Sequence, residues 1–204
     1  MPRPLAYSRE AVLGAARDAF WENGYEGTPL SELEKRTGLN RSSLYLAFGS
    51  KSALFEAALD RYADDVIDPL LGPLESDPSL VGIRSFLGRV KAIIVSEFEQ
   101  GHAGCLMVNT IAELSTKDQA TARRTIGFRD RLERALTRAL EVELPDAEVA
   151  TLSRRGRLLL ASVIGIWTCA RIDLRNAAVL CDEVAAEVAS WAPRRDRLRG
   201  QRLG

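Results

Sequence analysis

TPLSELEKRTGLNRSSLYLAFGSKSALF, residues 28–55, reads as a short helix, a turn around Gly38, a second short helix and a third helix restarting at Ser50. Thr28 is placed to cap the first helix, and Pro29 stands where a missing N–H costs nothing. Gly38 suits the left-handed residue that closes that helix, and Asn40 is a cap for the next. This is the outline of a helix-turn-helix, whose second helix enters the DNA major groove. The same outline also describes a helical hairpin in any all-α protein.

Charge supports the first of these readings. Between Lys35 and Lys51 the charged residues are Lys35, Arg36, Arg41 and Lys51, with no Asp or Glu among them. On a helical wheel Leu44 and Phe48 share one face and are expected to bury. Ser42, Ser43 and Leu46 then point away, flanked by Arg41 and Tyr45. Hydroxyl, aromatic and guanidinium groups on an exposed face can reach base edges and phosphates.

Outward from this stretch the chain is expected to be all-α, because helical periodicity dominates and strand alternation is absent. A first helix from about Arg9 to Asn23 carries Val12, Ala16, Ala19 and Phe20 on one stripe and ends at Gly24. The helix from Lys51 carries Leu54, Phe55, Ala58, Leu59 and Tyr62 and is expected to stop by Pro69 or Pro73. Leu70 to Ser79, with two prolines and a glycine, reads as the loosest stretch and the boundary region. The expected organisation is a DNA-binding unit at 1–65, a larger helical unit at 66–193 and an Arg-rich tail at 194–204. Helices are expected near Leu80–Gln100, Leu106–Leu114 and Lys117–Glu143. A long one capped by Asp146 should reach about Arg171, and a last one should span Ala177–Ala192.

Gly24-Tyr25-Glu26-Gly27-Thr28, Gly38-Leu39-Asn40-Arg41-Ser42-Ser43-Leu44-Tyr45, Phe48-Gly49-Ser50-Lys51 and Leu54-Phe55 together resemble the amino-terminal domain of TetR/AcrR-family transcriptional regulators. The resemblance covers roughly residues 8–65. It implies a dimeric regulator that binds pseudo-palindromic double-stranded operator DNA, most often a repressor, released by a small-molecule effector. DNA contact is then expected at Thr28, Arg41, Ser42, Ser43, Tyr45, Leu46 and Lys51. Family members often carry an aromatic or histidine pair after the tyrosine. Here Leu46-Ala47 stands instead, which favours apolar contact with thymine methyls over a phosphate contact.

Composition narrows the class. The chain has 204 residues, enough for a substantial core, with 28 basic and 28 acidic side chains. That balance argues against a purely electrostatic DNA binder but permits a local basic footprint. A single histidine, no Gly-rich phosphate loop and no metal-ligand spacing argue against an enzyme, a metal centre or a cofactor. Three widely spaced cysteines form no disulfide framework. Met1 to Tyr7 lacks the apolar core of a signal peptide, and the longest apolar run, Leu158 to Ala170, is too short to span a membrane. A cytoplasmic, membrane-free protein is expected.

The second unit holds the remaining candidates. Phe86, Val90, Ile94, Phe98, Met107, Ile111, Phe128 and Trp167 offer apolar surface for an effector pocket, although for each of them taken singly ordinary core is the commoner role. His102, Asn109, Thr110, Glu113 and Arg171 are the polar groups that could orient a ligand. Gly104-Cys105-Leu106-Met107-Val108-Asn109 resembles a segment that, in one subset of the family, begins a helix beside the effector cavity. Cys105 sits at that helix start, where the dipole favours a thiolate, so an electrophile- or oxidant-sensing regulator is the alternative. The last two helices are apolar on most sides, which fits either a central position or a dimer interface. The resemblance implies the latter, with Val163 and Val184 in the seam.

Overall fold

The computed structural model describes residues 8–114 and 118–192, so the Arg-rich tail and Lys117 lie outside the described residues. The described residues form helices and connecting turns, as the periodicity requires. The amino-terminal unit is α1 (Arg9–Asn23), α2 (Leu30–Thr37), α3 (Arg41–Phe48) and α4 (Lys51–Tyr62). The second unit is α5 (Asp68–Ser76), α6 (Leu80–Glu99), α7 (Leu106–Leu114), α8 (Gln119–Glu143), α9 (Val149–Cys169) and α10 (Leu174–Ser190).

Local chemistry sets most of these boundaries. Side chains of Ser8, Asn40, Ser50, Ser79, Asp118 and Asp173 each accept an N–H from the first turn of the helix that follows. In α1 the stripe Val12, Ala16, Ala19 and Phe20 is buried as expected, and Phe20 meets Phe55 of α4 edge-on at 4.8 Å.

Three boundary expectations are corrected. Thr28 does not cap α2: its side chain is fully buried, and its hydroxyl donates to the carbonyls of Gly24 (2.6 Å) and Ala19 (3.2 Å). It ties the turn to α1, and Pro29 stands at the α2 cap position without a side-chain bond. Asp146 is not the cap of α9, which starts at Val149 after Glu148. The stretch Leu70–Ser79 is not a loose linker. A π-helical segment, Ala63–Ile67, carries α4 into α5 without a break, and Leu70, Leu71 and Leu74 are buried. Pro69 follows the π segment at the start of α5, and Pro73 is accommodated inside the helix. The π segment is held by Asp65, which accepts from Arg61 at 2.7 Å and pairs with Arg17 of α1.

In the second unit α6 packs along α10 and α8 along α9. At the α8–α9 crossing, Gly156 lies directly against Thr137, where any Cβ would collide with the threonine hydroxyl. Val163 is buried inside this packing, and Val184 packs partly against it. Val163 is therefore not on the outer face, which corrects its expected place in the seam, while Val184 is half-buried. That face of α9 carries Leu158 (58% exposed), Ala161 and Gly165, and that of α10 carries Val179 (51% exposed) and Ala186.

The two units meet through α1 and α4 against α7. Arg124 of α8 reaches back to Glu56 and Asp60 of α4, at 2.9 Å each. Arg131, also on α8, pairs with Glu75 at 2.7 Å and with Asp68, both on α5. Among the described residues, no helix is long and apolar enough to cross a membrane.

Candidate nucleic-acid interface and effector cleft

The turn before α3 is built for a helix that stands clear of its own domain. Gly38 closes α2 at φ +70°, a left-handed conformation that costs other residues about 1–2 kcal/mol. The Asn40 carboxamide oxygen accepts the Ser43 N–H at 2.9 Å, and Glu34 of α2 accepts the Arg41 N–H at 2.5 Å. Leu44 (3% exposed) anchors α3 inward. Phe48, the second residue of that face, is half-buried beneath the Arg9 guanidinium, 4.5 Å from its ring centre.

The opposite face carries Arg41, Ser42, Tyr45 and Leu46, all exposed, with Leu46 at 90%. The Arg41 guanidinium lies 5.5 Å from the Tyr45 ring centre, which limits the swing of both groups. Ser43 is half-buried at the edge of this face. Lys51, the first residue of α4, donates to the Tyr25 carbonyl at 2.7 Å with its ammonium 4.3 Å from the Tyr25 ring centre. It therefore anchors the α1–α2 turn. Thr28, buried as described, offers no hydroxyl to a phosphate, a correction to its expected role. The sequence reading missed Glu34 and Arg9, because both act across the fold, on α3 from α2 and α1.

The expected pocket residues divide. Phe86, Val90, Ile94, Met107, Phe128 and Trp167 are buried core, and Phe128 packs on Trp167 with ring centres 5.9 Å apart. Thr110 is also buried, its hydroxyl donating to the Leu106 carbonyl at 2.7 Å. Phe98 is 47% exposed near the end of α6, so its assignment to a pocket wall is corrected. His102 is buried between the units: its ring stacks on Trp21 at 4.5 Å, and Nδ1 lies 2.8 Å from a Glu97 carboxylate oxygen. Asn109 and Arg171 do share a cavity, a cleft of about 610 Å³ bounded by α7, α8, α9 and the end of α1. Arg129, Ile164 and Thr168 also line it. Nothing in their local sequence marked them, since the cleft exists only where helices distant in the chain converge.

Cys105 is buried, and the Tyr62 hydroxyl lies 3.4 Å from its sulfur. Burial pushes the Cys105 thiol above its ordinary pKa, outweighing the Tyr62 bond and the first-turn N–H groups that lower it. Tyr62 is itself raised by burial. The helix-start argument for a reactive thiolate therefore loses to desolvation. Cys181 is likewise pushed up, to about 11, by burial and by Asp182.

Comparison with known proteins agrees with this geometry. The sequence model of "Bacterial regulatory proteins, tetR family" matches residues 12–58, which span α1 to α4. The chain is 36% identical over 115 residues to the HTH-type transcriptional repressor ComR of Escherichia coli K12, covering 55% of this chain and 54% of ComR. It is 31% identical over 111 residues to the repressor BdcR of the same organism, covering 53% and 55%. The chain thus matches about half the length of these curated relatives. A cysteine mutant of the TetR-family regulator CifR, solved with 26-bp operator DNA, superposes with a TM-score of 0.77 at 27% identity, over 93% of this chain and 100% of that one. A TetR regulator from Chloroflexus aurantiacus shares the fold, with a TM-score of 0.74 at 23% identity over 90% and 92%. The α1–α4 segment thus carries the motif of the TetR family of bacterial regulatory proteins, and nearly all of the described chain is similar in fold to solved TetR-family regulators.

Proposed function

We propose that the protein is a sequence-specific DNA-binding transcriptional regulator, a dimeric repressor that leaves its operator when a small molecule occupies the second unit. The observation that carries this reading is the outer face of α3. Arg41, Ser42, Tyr45 and Leu46 share an exposed face, and together they can read base edges and a thymine methyl. Ser43 and Lys51 are assigned to the phosphates beside them. The named repressor function of ComR and BdcR supports the sign of regulation.

Dimerisation is assigned to α9 and α10. Leu158, Ala161 and Gly165 follow the three- and four-residue spacing of a helix stripe, and small residues there let a second copy approach closely. Two α3 helices would then face half-sites about 34–36 Å apart. Residues 1–65 form the DNA-binding unit and 66–193 the effector and dimerisation unit, joined through the π segment. No catalytic role is assigned: the single histidine is committed to Glu97 and Trp21.

The test is selection of bound duplexes from a random-sequence pool by the purified protein, followed by binding isotherms at several salt concentrations. An enriched inverted repeat, bound at least about a thousandfold more tightly than random DNA, is expected. Equal affinity for all sequences would refute the reading.

A further inference from the structure

The cleft bounded by α7, α8, α9 and the end of α1 has a composition that specifies a ligand class. Val108, Ile111 and Ile164 make an apolar wall. Asn109, Arg129 and Arg171 belong to the same lining. Arg129 is paired with Asp130 at 2.6 Å, whereas Arg171 is exposed and has no carboxylate within ion-pair distance among the described residues. At about 610 Å³ the cleft falls within the ~300–1,000 Å³ of small-molecule sites. A guanidinium presents a planar donor fork that matches a carboxylate, and an adjacent apolar wall excludes water from the pair.

The cleft also touches the DNA-binding unit. Glu113, in its lining, accepts the N–H of Tyr25 at 3.0 Å and of Glu26 at 2.7 Å, one on each carboxylate oxygen. Gly24 permits this approach: it adopts φ +75°, and a Cβ there would stand 2.7 Å from the Glu113 carboxylate. The carbonyl of the same Tyr25 is held by Lys51, at the start of α4 and three residues beyond the end of α3. Tyr25 is thus gripped on its amide by α7 and on its carbonyl by α4.

We propose that this cleft binds a small organic monoanion, a carboxylate on an apolar chain or ring, with Arg171 as its counter-ion, and that Glu113 reports its presence through Tyr25 and Lys51 to the recognition helix. The reporting step rests on the DNA-binding reading above; the binding step does not. A bound carboxylate places a second negative charge beside Glu113, and repulsion between like charges weakens the grip on the Tyr25 and Glu26 amides. The turn then shifts relative to α4, and α3 leaves the arrangement that matches the operator.

Calorimetry on the full chain without DNA tests binding, with octanoate, phenylacetate and 4-phenylbutyrate as probes, each against its uncharged primary amide. At least one carboxylate is expected to bind about tenfold or more tightly than its amide, and Arg171→Gln is expected to remove that preference. Arg171 is exposed, so folding survives its replacement; Arg129→Gln serves as a second variant with a smaller loss. Absence of carboxylate binding at about 1 mM, equal binding of acid and amide, or an unchanged preference in Arg171→Gln would overturn the site. Operator titration tests the reporting step. The bound carboxylate is expected to weaken operator affinity about tenfold in the native chain, and Glu113→Ala to bind the carboxylate without that effect. Carboxylate binding with no change in operator affinity would overturn the Glu113 path. Failure to bind any operator would strike the DNA-binding reading and leave the calorimetric result standing.

Discussion

Leu44 and Leu46 are the same residue type two positions apart on one eight-residue helix, and truncating each should affect different properties. Leu44 is 3% exposed, so Leu44→Ala leaves a cavity in the small amino-terminal core and should cost about 2–5 kcal/mol of stability. Leu46 is 90% exposed, so Leu46→Ala removes almost nothing from the folded protein, and its effect on stability should lie within about 0.5 kcal/mol. On DNA the order reverses. Full burial of a leucine side chain is worth about 1.5–3 kcal/mol, and a leucine pressed against one thymine methyl realises about 1 kcal/mol of that. A dimer with two half-sites loses about 2 kcal/mol, or roughly 30-fold in affinity. Fluorescence anisotropy on the selected operator measures the loss, and replacing the contacted thymine by uracil removes the methyl from the DNA side. In a double-mutant cycle the leucine and the methyl should be coupled, so that Leu46→Ala costs little more on the uracil operator. Native operator affinity in Leu46→Ala, or a large drop in its melting temperature, would refute the assignment of α3 as a reading helix with Leu46 on its reading face.

Ala161→Glu places a charge on the small-residue face of α9 and should yield a folded monomer by sedimentation, whereas Val163→Glu should unfold the second unit because Val163 is buried within its own chain. Lys51→Ala should weaken binding to all sequences and reduce the salt-dependence slope by about one, provided its ammonium reaches a phosphate while holding Tyr25; an unchanged slope would confine Lys51 to the turn. With a thiol reagent at pH 8, half-buried Cys169 should react first, and Cys105 and Cys181, both buried with raised pKa values, should react only on unfolding; fast labelling of Cys105 in the native protein would restore the thiol-sensor alternative. The Arg131 hydrogen bond holds the Glu75 carboxyl below its ordinary pKa, so this pair contributes stability above the ordinary carboxylate range and loses it as pH falls through the lowered value; acid unfolding of Arg131→Gln should therefore show a shallower loss over that window.

What the sequence determined by itself is the set of features written into adjacent residues. Some helix starts are legible because a Ser or Asn side chain caps an N–H only three positions away, as at Asn40 and Ser50. The exposed face of α3 is legible because Leu44 anchors one side of a short helix, which leaves Leu46 outside. Thr28, the continuous path from α4 into α5, Phe98 and the Val163 seam were misplaced for one reason. Each depends on which neighbour a residue meets, and tertiary packing alone decides that. A threonine before a proline looks like a cap until α1 offers it two carbonyls. A proline-rich stretch looks like a linker until three leucines find a core. The cleft belongs wholly to the tertiary structure, because Glu113 meets Tyr25 across 88 positions of chain. Cys105 shows the same limit in energetic form: its place at a helix start lowers a thiol's pKa, but the depth at which the fold buries it raises that pKa more.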